Sequence, residues 1–599
     1  MRLKLVVLSA LLMVPAGVAL GAGAPILPLS EIRKGMTGYG LTVFEGDRVE
    51  RFDVEIVGVL EKIAPGQDLI LARVSSEVTD RAGVIAGMSG SPIYVDGKII
   101  GALAYSWQFS KEPIAGITPI EQMLRMEGGV GGVSSATPVI TSAELLELLA
   151  DPTAERLLPY FERISFPERS SAVGALPLAI PLALSGFESD TVRRFENELA
   201  RGGFLPVPAG SVASGRTEGS AAPLKEGDAF AAVLAEGDFS LAATGTITYV
   251  DGDRVLGFGH PFLSMGAIDF PMARSEIVTI LPNLAASFKL ANTGPVVGSL
   301  TQDRAFGVVG YLGRKPDLVP VTIHLDSAQG PKTFRVNIVR NSTLFPLVLA
   351  LTADSIVSIA EQASGERTVR LDSVIRFNGS GEIHLREGWA GIQARRAIPL
   401  YLAVVSNYLL SNEFMELPIE GVEIRLKHED DLRIARVVEA GVRMPDDGEL
   451  NPGDDLEIRV VLKPFRGEPF VETMVLRVPE GAKAGRAYLL VGSGTAANRI
   501  DFTLVPPDPR TLGQVVDVLE RLLPSTELTA RLYESADGRV SAGVYHPALP
   551  PTMQVIVQDD SSNKASMVVK FHPSSFTSSP LDYIVDGALK IDLDIRPRS

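Results

Sequence analysis

The chain has 599 residues, 46% of them hydrophobic and 21% charged, with 57 glycines and 41 prolines. That composition excludes a disordered chain and, at about 150 residues per domain, points to roughly three to five turn-rich domains. Its 56 basic residues are outnumbered by 72 acidic ones for a net charge of −16, and no Lys/Arg stripe is interleaved with aromatics, so nucleic acid is not an expected partner. There is no cysteine, which excludes a thiol nucleophile, disulfides and cysteine-bound metal. The six histidines are scattered without ligand spacing. No metal and no other cofactor is therefore expected, and a covalent catalyst would be Ser or Thr.

In chain order, Arg2 and Lys4 precede the apolar run Leu5 to Leu20, and Ala22-Gly23-Ala24 offers a cleavage site. This reads as a signal peptide over 1–24, cut after Ala24 or Gly21, with an uncleaved anchor as the alternative. The mature chain is expected to be exported, periplasmic or extracellular. From Ile32 to Leu103 short strands follow one another: Gly38 to Phe44, Arg51 to Leu60 with alternating apolar positions, and Asp68 to Val74, as in a small barrel. Gly128 to Ser135 is a linker. Thr141-Ser142-Ala143-Glu144 is a capping box for a helix through Leu149, and Thr191 to Ala200 sets Val192, Phe195 and Leu199 on one helical face. Ser211 to Ala222 is a polar surface loop.

A second strand-rich unit begins near Asp228 and contains Ala243 to Pro261. Its turn Tyr249-Val250-Asp251-Gly252 repeats Tyr94-Val95-Asp96-Gly97, and Gly46-Asp47-Arg48-Val49 recurs as Gly252-Asp253-Arg254-Val255; coincidence and duplication both explain this. Beyond 350, Thr368 to Phe377, Ala397 to Tyr408 and Glu416 to Leu426 read as β segments. Asp454 to Leu462 and Thr473 to Val478 suggest an immunoglobulin-like sandwich, and Thr511 to Leu523 an amphipathic helix. The expected plan is mainly β with few helices: a serine-bearing barrel half (25–127), a linker with helices (128–227), a histidine-bearing barrel half (228–350), a β-rich domain (351–430), an immunoglobulin-like sandwich (431–506), and a helix with a C-terminal β segment (507–599).

Chemistry concentrates in Gly87-Met88-Ser89-Gly90-Ser91-Pro92. A nucleophilic serine needs a sharp turn that exposes its hydroxyl and N–H groups aimed at the developing oxyanion. The small residues around Ser89 allow both, with the N–H groups of Gly87 and Ser89 forming the hole; a plain Gly/Ser/Pro loop is the alternative. A serine also needs a base. His260, in Gly257-Phe258-Gly259-His260-Pro261, is the one histidine framed by glycines at a strand end, although a histidine in a β-turn reads the same way.

Together, Gly87 to Gly101 and Gly245 to Pro261 resemble the SpoIVB (sporulation stage IV B) serine peptidase family, a chymotrypsin-like group. The resemblance rests on Gly-Met-Ser-Gly-Ser-Pro-Ile at 87–93, the Gly-Lys-x-Ile-Gly-Ala hairpin at 97–102, and the Gly-Thr-x-Thr…Gly-His element at 245–260, and covers roughly residues 30 to 330. It implies a double β-barrel with Ser89 as nucleophile and His260 as base. The order is permuted, because the family's histidine precedes its serine. Triads are defined by geometry and occur in several chain orders. Val78-Thr79-Asp80 resembles the segment carrying the family's aspartate, so Asp80 is the candidate acid, with Asp68 and Asp269 as rivals. No PDZ-like module is evident. The expected activity is an exported serine endopeptidase cleaving protein or peptide substrates, the β-rich rear half serving an envelope partner; an inactive peptide-binding module and a structural envelope protein are the alternatives.

Overall fold

Alternation along the first strands fixes which face is buried. In Arg51 to Ile56 the side chains of Phe52, Val54 and Ile56 point inward while Arg51, Asp53 and Glu55 face solvent, the period of two that a half-buried strand requires. The computed structural model describes residues 24–107, 109–126, 140–164, 166, 175–209, 224–360, 367–377, 381–392, 394–415, 417–445, 448–541, 544–546 and 567–596. The expected signal peptide, except Ala24, the linker Gly128 to Ser135 and the loop Ser211 to Ala222 lie outside the described residues.

β1 (Thr37–Val43), β2 (Val49–Ala64), β3 (Gln67–Ser75), β4 (Pro92–Val95), β5 (Lys98–Ser106) and β6 (Ile114–Pro119) form the first unit. They pair antiparallel in the ring β1-β2-β3-β6-β5-β4, and β4 closes it on β1 through Tyr39↔Tyr94 and Gly40↔Ile93. Ile70, Ala72, Val74, Met88, Ile93, Leu103 and Ile117 fill the inside. Closure leaves no unpaired edge within the ring.

After it come β7 (Leu176–Pro177), β8 (Ile180–Ser185) and β9 (Phe204–Pro208) with five helices among the described residues. The helix Ser142–Leu149 carries the expected capping box of Thr141 and Glu144. The helix expected over 191–200 is instead two, Ser189–Arg194 and Glu196–Arg201. Phe195 leaves the helical backbone between them and packs edge-on against Phe161.

The second barrel comprises β10 (Ala229–Gly237), β11 (Ser240–Asp251), β12 (Arg254–Gly257), β13 (Gly266–Leu281), β14 (Phe288–Arg304) and β15 (Gly307–Leu312). Its ring is β10-β11-β12-β15-β14-β13, closed by β13 on β10. Counted within each barrel, both rings read 1-2-3-6-5-4. The two barrels thus share one pairing scheme, the double β-barrel that the resemblance implies. The repeated tetrapeptides fall at inequivalent turns: Gly46 to Val49 lies between strands one and two of its barrel, Gly252 to Val255 between strands two and three. The likeness of the barrels lies in their topology and not in those repeats. Tyr94, Ile99 and Ala102 of the first barrel and Tyr249, Leu256 and Val309 of the second share one apolar cluster, covered by Ile120 and Met123 of the helix Ile120–Leu124.

β10 also pairs with β17 (Lys332–Val339), which leads through β16 (Leu318–Asp326) and a parallel step to β20 (Ile419–Glu429), then β18 (Thr368–Phe377) and β19 (Gly381–Ala390). Against them pack two long helices, Leu344–Ala360 and Ala394–Ser411. The second corrects the strand expected over Ala397 to Tyr408. Ala397 to Leu409 is buried throughout, so no exposed polar face marks the helical period, and the uninterrupted apolar run Ala397 to Val405 does not separate helix from strand. No helix among the described residues is long and apolar enough to cross a membrane.

At the C-terminal end, one sheet of Ile434–Arg443, Asp455–Pro464, Phe470–Arg477 and Ile584–Asp586 faces another built on Gly485–Ser493, Glu527–Ser541, Met567–Pro580 and Ala588–Ile595. Leu456, Ile458, Leu489, Val491, Leu528 and Ala530 belong to their common core. The sandwich therefore draws strands from both 431–506 and 507–599. The helix Leu512–Arg521, expected over 511–523, sends Val515 and Leu519 into the larger core next to β19.

Candidate active site

The two loops singled out in the sequence occupy the same place in their barrels. Ser89 lies between strands three and four of the first, and His260 between strands three and four of the second. Met88 anchors the serine loop by inserting into the first barrel's core. Its neighbours dock on β11: the Thr246 N–H donates to the Ser89 carbonyl (2.8 Å), Thr246 Oγ1 to the Gly87 carbonyl (3.0 Å) and Thr248 Oγ1 to the Gly90 carbonyl (2.7 Å). Gly90 has no room for a side chain, since a Cβ there would stand 2.0 Å from the Thr246 carbonyl oxygen, and its φ is +95°. The Gly90 N–H donates to the Leu103 carbonyl at 2.8 Å.

The histidine segment reaches the same place from the other barrel. Phe258 adopts φ +64° although it is bulky and fully buried, a conformation that costs free energy and that cores retain mainly where function needs it. Its N lies 2.6 Å from where a Gly90 Cβ would be. The Gly259 carbonyl accepts from Thr118 Oγ1 at 2.6 Å, and a Cβ on Gly259 would meet the Ala102 Cβ at 2.8 Å. So the residue after Ser89 abuts the residue two before His260.

His260 is itself buried, with Nδ1 2.9 Å from the Pro261 carbonyl oxygen. A carbonyl only accepts, which assigns the proton to Nδ1 and makes Nε2 the basic nitrogen. Ser89 corrects one expectation. Its hydroxyl is not exposed at the turn but fully buried, and its Oγ makes no hydrogen bond among the described residues. The serine and histidine loops meet without a Ser89–His260 hydrogen bond.

The N–H groups divide unevenly. Those of Met88, Gly90 and Ser91 donate to the carbonyls of Ile85, Leu103 and Met88. Those of Gly87 and Ser89, expected to form the oxyanion hole, have no acceptor among the described residues.

The geometry gives Asp80 no support as the acid. It lies on the short helix Thr79–Ala82 of the first barrel, exposed, with its carboxylate accepting from Ser75 Oγ at 3.0 Å. Of its rivals, Asp68 accepts from the Lys62 N–H and Gln122 Nε2, and Asp269 from Ser299 Oγ and the Asp317 N–H. The carboxylate that serves the histidine loop is Asp303, at the end of β14 and 1% exposed. It accepts from the N–H groups of Phe262 (2.8 Å), Leu263 (2.7 Å) and Met265 (2.9 Å). Sequence reasoning missed it because its partners are main-chain groups, which leave no side-chain pattern. A fainter signal was available for Thr246: Thr244, Thr246 and Thr248 alternate along β11 with Gly245, Ile247 and Tyr249 between them, and all three threonines are buried.

Two Greek-key barrels with a serine and a histidine loop meeting at their junction define a chymotrypsin-like architecture. Residues 21–124 match the family model described as SpoIVB peptidase S55. The resemblance drawn from the Ser89 motif is therefore borne out over the serine barrel, and the matched family is one of serine peptidases. The match ends before the second barrel. No curated protein and no solved structure matches the chain.

Proposed function

We propose that the chain is an exported serine endopeptidase acting on protein or peptide substrates. Ser89 Oγ attacks the scissile carbonyl, His260 Nε2 takes its proton and returns it to the leaving amine, and the N–H groups of Gly87 and Ser89 hold the oxyanion. Asp303 takes the place expected for Asp80, acting on the loop that carries His260 and not on the substrate. The observation that carries this reading is the pair of unengaged N–H groups at a buried serine with no hydrogen bond, on a loop that abuts the segment of a histidine whose Nε2 is left basic by the Pro261 carbonyl. Catalytic hydrogen bonds often tighten only with substrate bound, so a loose Ser–His geometry without substrate fits the proposal. Hydrolysis of a peptide library by the full chain, compared with Ser89→Ala, tests it: turnover lost with the hydroxyl supports the reading, and equal turnover removes it.

A second reading is favoured by one observation, the complete burial of both Ser89 and His260. A peptide carbonyl reaches Ser89 only if the barrels or the loops above them part. A chain that never opens would be an inactive peptidase-like module, in which the barrels and the C-terminal sandwich serve an envelope partner. It would show no turnover with any peptide while keeping its fold.

A further inference from the structure

Lys289, the second residue of β14, is a buried group beside the serine loop that the reaction scheme leaves unused. Its N–H donates to the Ala86 carbonyl (3.0 Å), and the Ala86 N–H donates to the Ser287 carbonyl (2.8 Å), so β14 grips the chain one residue before Gly87. The stem then runs along Gly87: a Cβ there would stand 3.1, 3.2 and 3.3 Å from Cδ, Cγ and Cβ of Lys289. The amine donates to Thr42 Oγ1 on β1 at 2.7 Å. Nζ is two bonds beyond Cδ, which places it within about 7 Å of the Gly87 Cα.

Among the described residues, nothing of opposite charge faces this amine. The serine loop presents Ala86 and Gly87, β1 presents Thr42, and β13 presents Ile280 across the ladder; burial alone perturbs the amine, with no carboxylate, imidazole or second cation acting on it. A lysine buried without a counter-ion is held against the cost of desolvating its charge, and an anion formed nearby offsets that cost. The oxyanion between the N–H groups of Gly87 and Ser89 is such an anion.

We propose that Lys289 is the positioning and electrostatic support of the oxyanion hole, its stem fixing the Gly87 peptide and its protonated amine stabilising the charge that develops there. The inference rests on the reading of Ser89 as nucleophile. No proton leaves Lys289 during attack; the serine proton goes to His260. Desolvation brings the amine down to about 7, so its charge is lost as pH rises through neutrality. The rate then falls on the alkaline side as Lys289 loses its proton.

The test is the rate at which a fluorophosphonate probe labels Ser89 between pH 5 and 9, in wild type and in Lys289→Met, which keeps an apolar stem and deletes the amine. Wild type should show an alkaline decline with its midpoint near neutrality. The variant should lose that decline and label about a hundredfold or more slower on the acid side, as expected for removing one stabiliser of the oxyanion. A variant with the wild-type profile overturns the role of Lys289 and leaves that of Ser89 standing. If the variant does not fold, a wild-type rate that stays level from pH 6.5 to 9 overturns it equally. Wild type that never labels removes the nucleophile and this inference with it.

Discussion

The Ser89 carbonyl accepts the Thr246 N–H at 2.8 Å, and this bond crosses from the first barrel to the second. The residue read as the nucleophile is thus pinned, through its own main chain, to the strand that leads by one hairpin to His260. Docking of the barrels and assembly of the site are one event.

Gly90→Ala should separate the barrels. The new methyl would stand 2.0 Å from the Thr246 carbonyl oxygen at a φ of +95°, and both terms act against the folded state, by about 3 kcal/mol or more together. Denaturant unfolding should show the loss, and activity should vanish with it.

Ser89→Ala should do the opposite to stability. The hydroxyl is buried with no hydrogen bond, so removing it relieves an unsatisfied polar group and leaves a space of one oxygen. A gain of about 1 kcal/mol is expected in urea titrations. A clear destabilisation would mean that the hydroxyl is paired in solution.

Much of this architecture was legible in the sequence, for stated reasons. The strands of the first barrel announce themselves because Phe52, Val54 and Ile56 alternate with charged residues, and the serine loop because Gly, Ser and Pro cluster around Met88. What escaped was set by tertiary contact. Ala397 to Val405 is apolar on every side because it lies inside the molecule, which erases the helical period. Ser89 looked exposed because a Gly/Ser loop usually is, whereas β11 of the second barrel docks on this loop through Thr246 and Thr248. Asp303 escaped because three backbone N–H groups, and no neighbouring side chain, are what it serves.

Asp303→Asn and Asp80→Asn should therefore differ sharply. Replacing the Asp303 carboxylate weakens three charge-assisted bonds to the loop after His260, with an expected cost of about 2–4 kcal/mol in stability and a large fall in kcat. Asp80→Asn, at an exposed carboxylate bonded to Ser75, should change neither by more than about 0.5 kcal/mol. Paired kinetics and melting curves of the two variants decide it, and equal behaviour would return the acid's role to an open choice.

Glu387 predicts a pH dependence away from the site. It is buried where β19 meets the C-terminal sandwich, accepting from the N–H groups of Gly388 and Ser525 at 2.8 Å each, and desolvation raises its carboxyl to about 7. A carboxyl whose folded value lies above its unfolded one gives stability that is fully present below the unfolded value and is lost as pH rises through the folded one. The window is therefore about pH 4.5 to 7, and the contribution on the order of 3 kcal/mol. Glu387→Gln, which keeps an acceptor for both N–H groups, should leave urea stability nearly unchanged at pH 4.5 and raise it at pH 8. No difference between the two pH values would contradict the assignment.

The central claim is that Ser89 is a nucleophile activated by His260 across the barrel junction. Fluorophosphonate labelling of the full chain, with the modified residue located by peptide mapping, tests it most directly. The account predicts a single adduct on Ser89, absent in Ser89→Ala and slowed by orders of magnitude in His260→Ala, because triad members act as a unit. An adduct on another serine, or labelling of Ser89 at the same rate without the His260 imidazole, would contradict it.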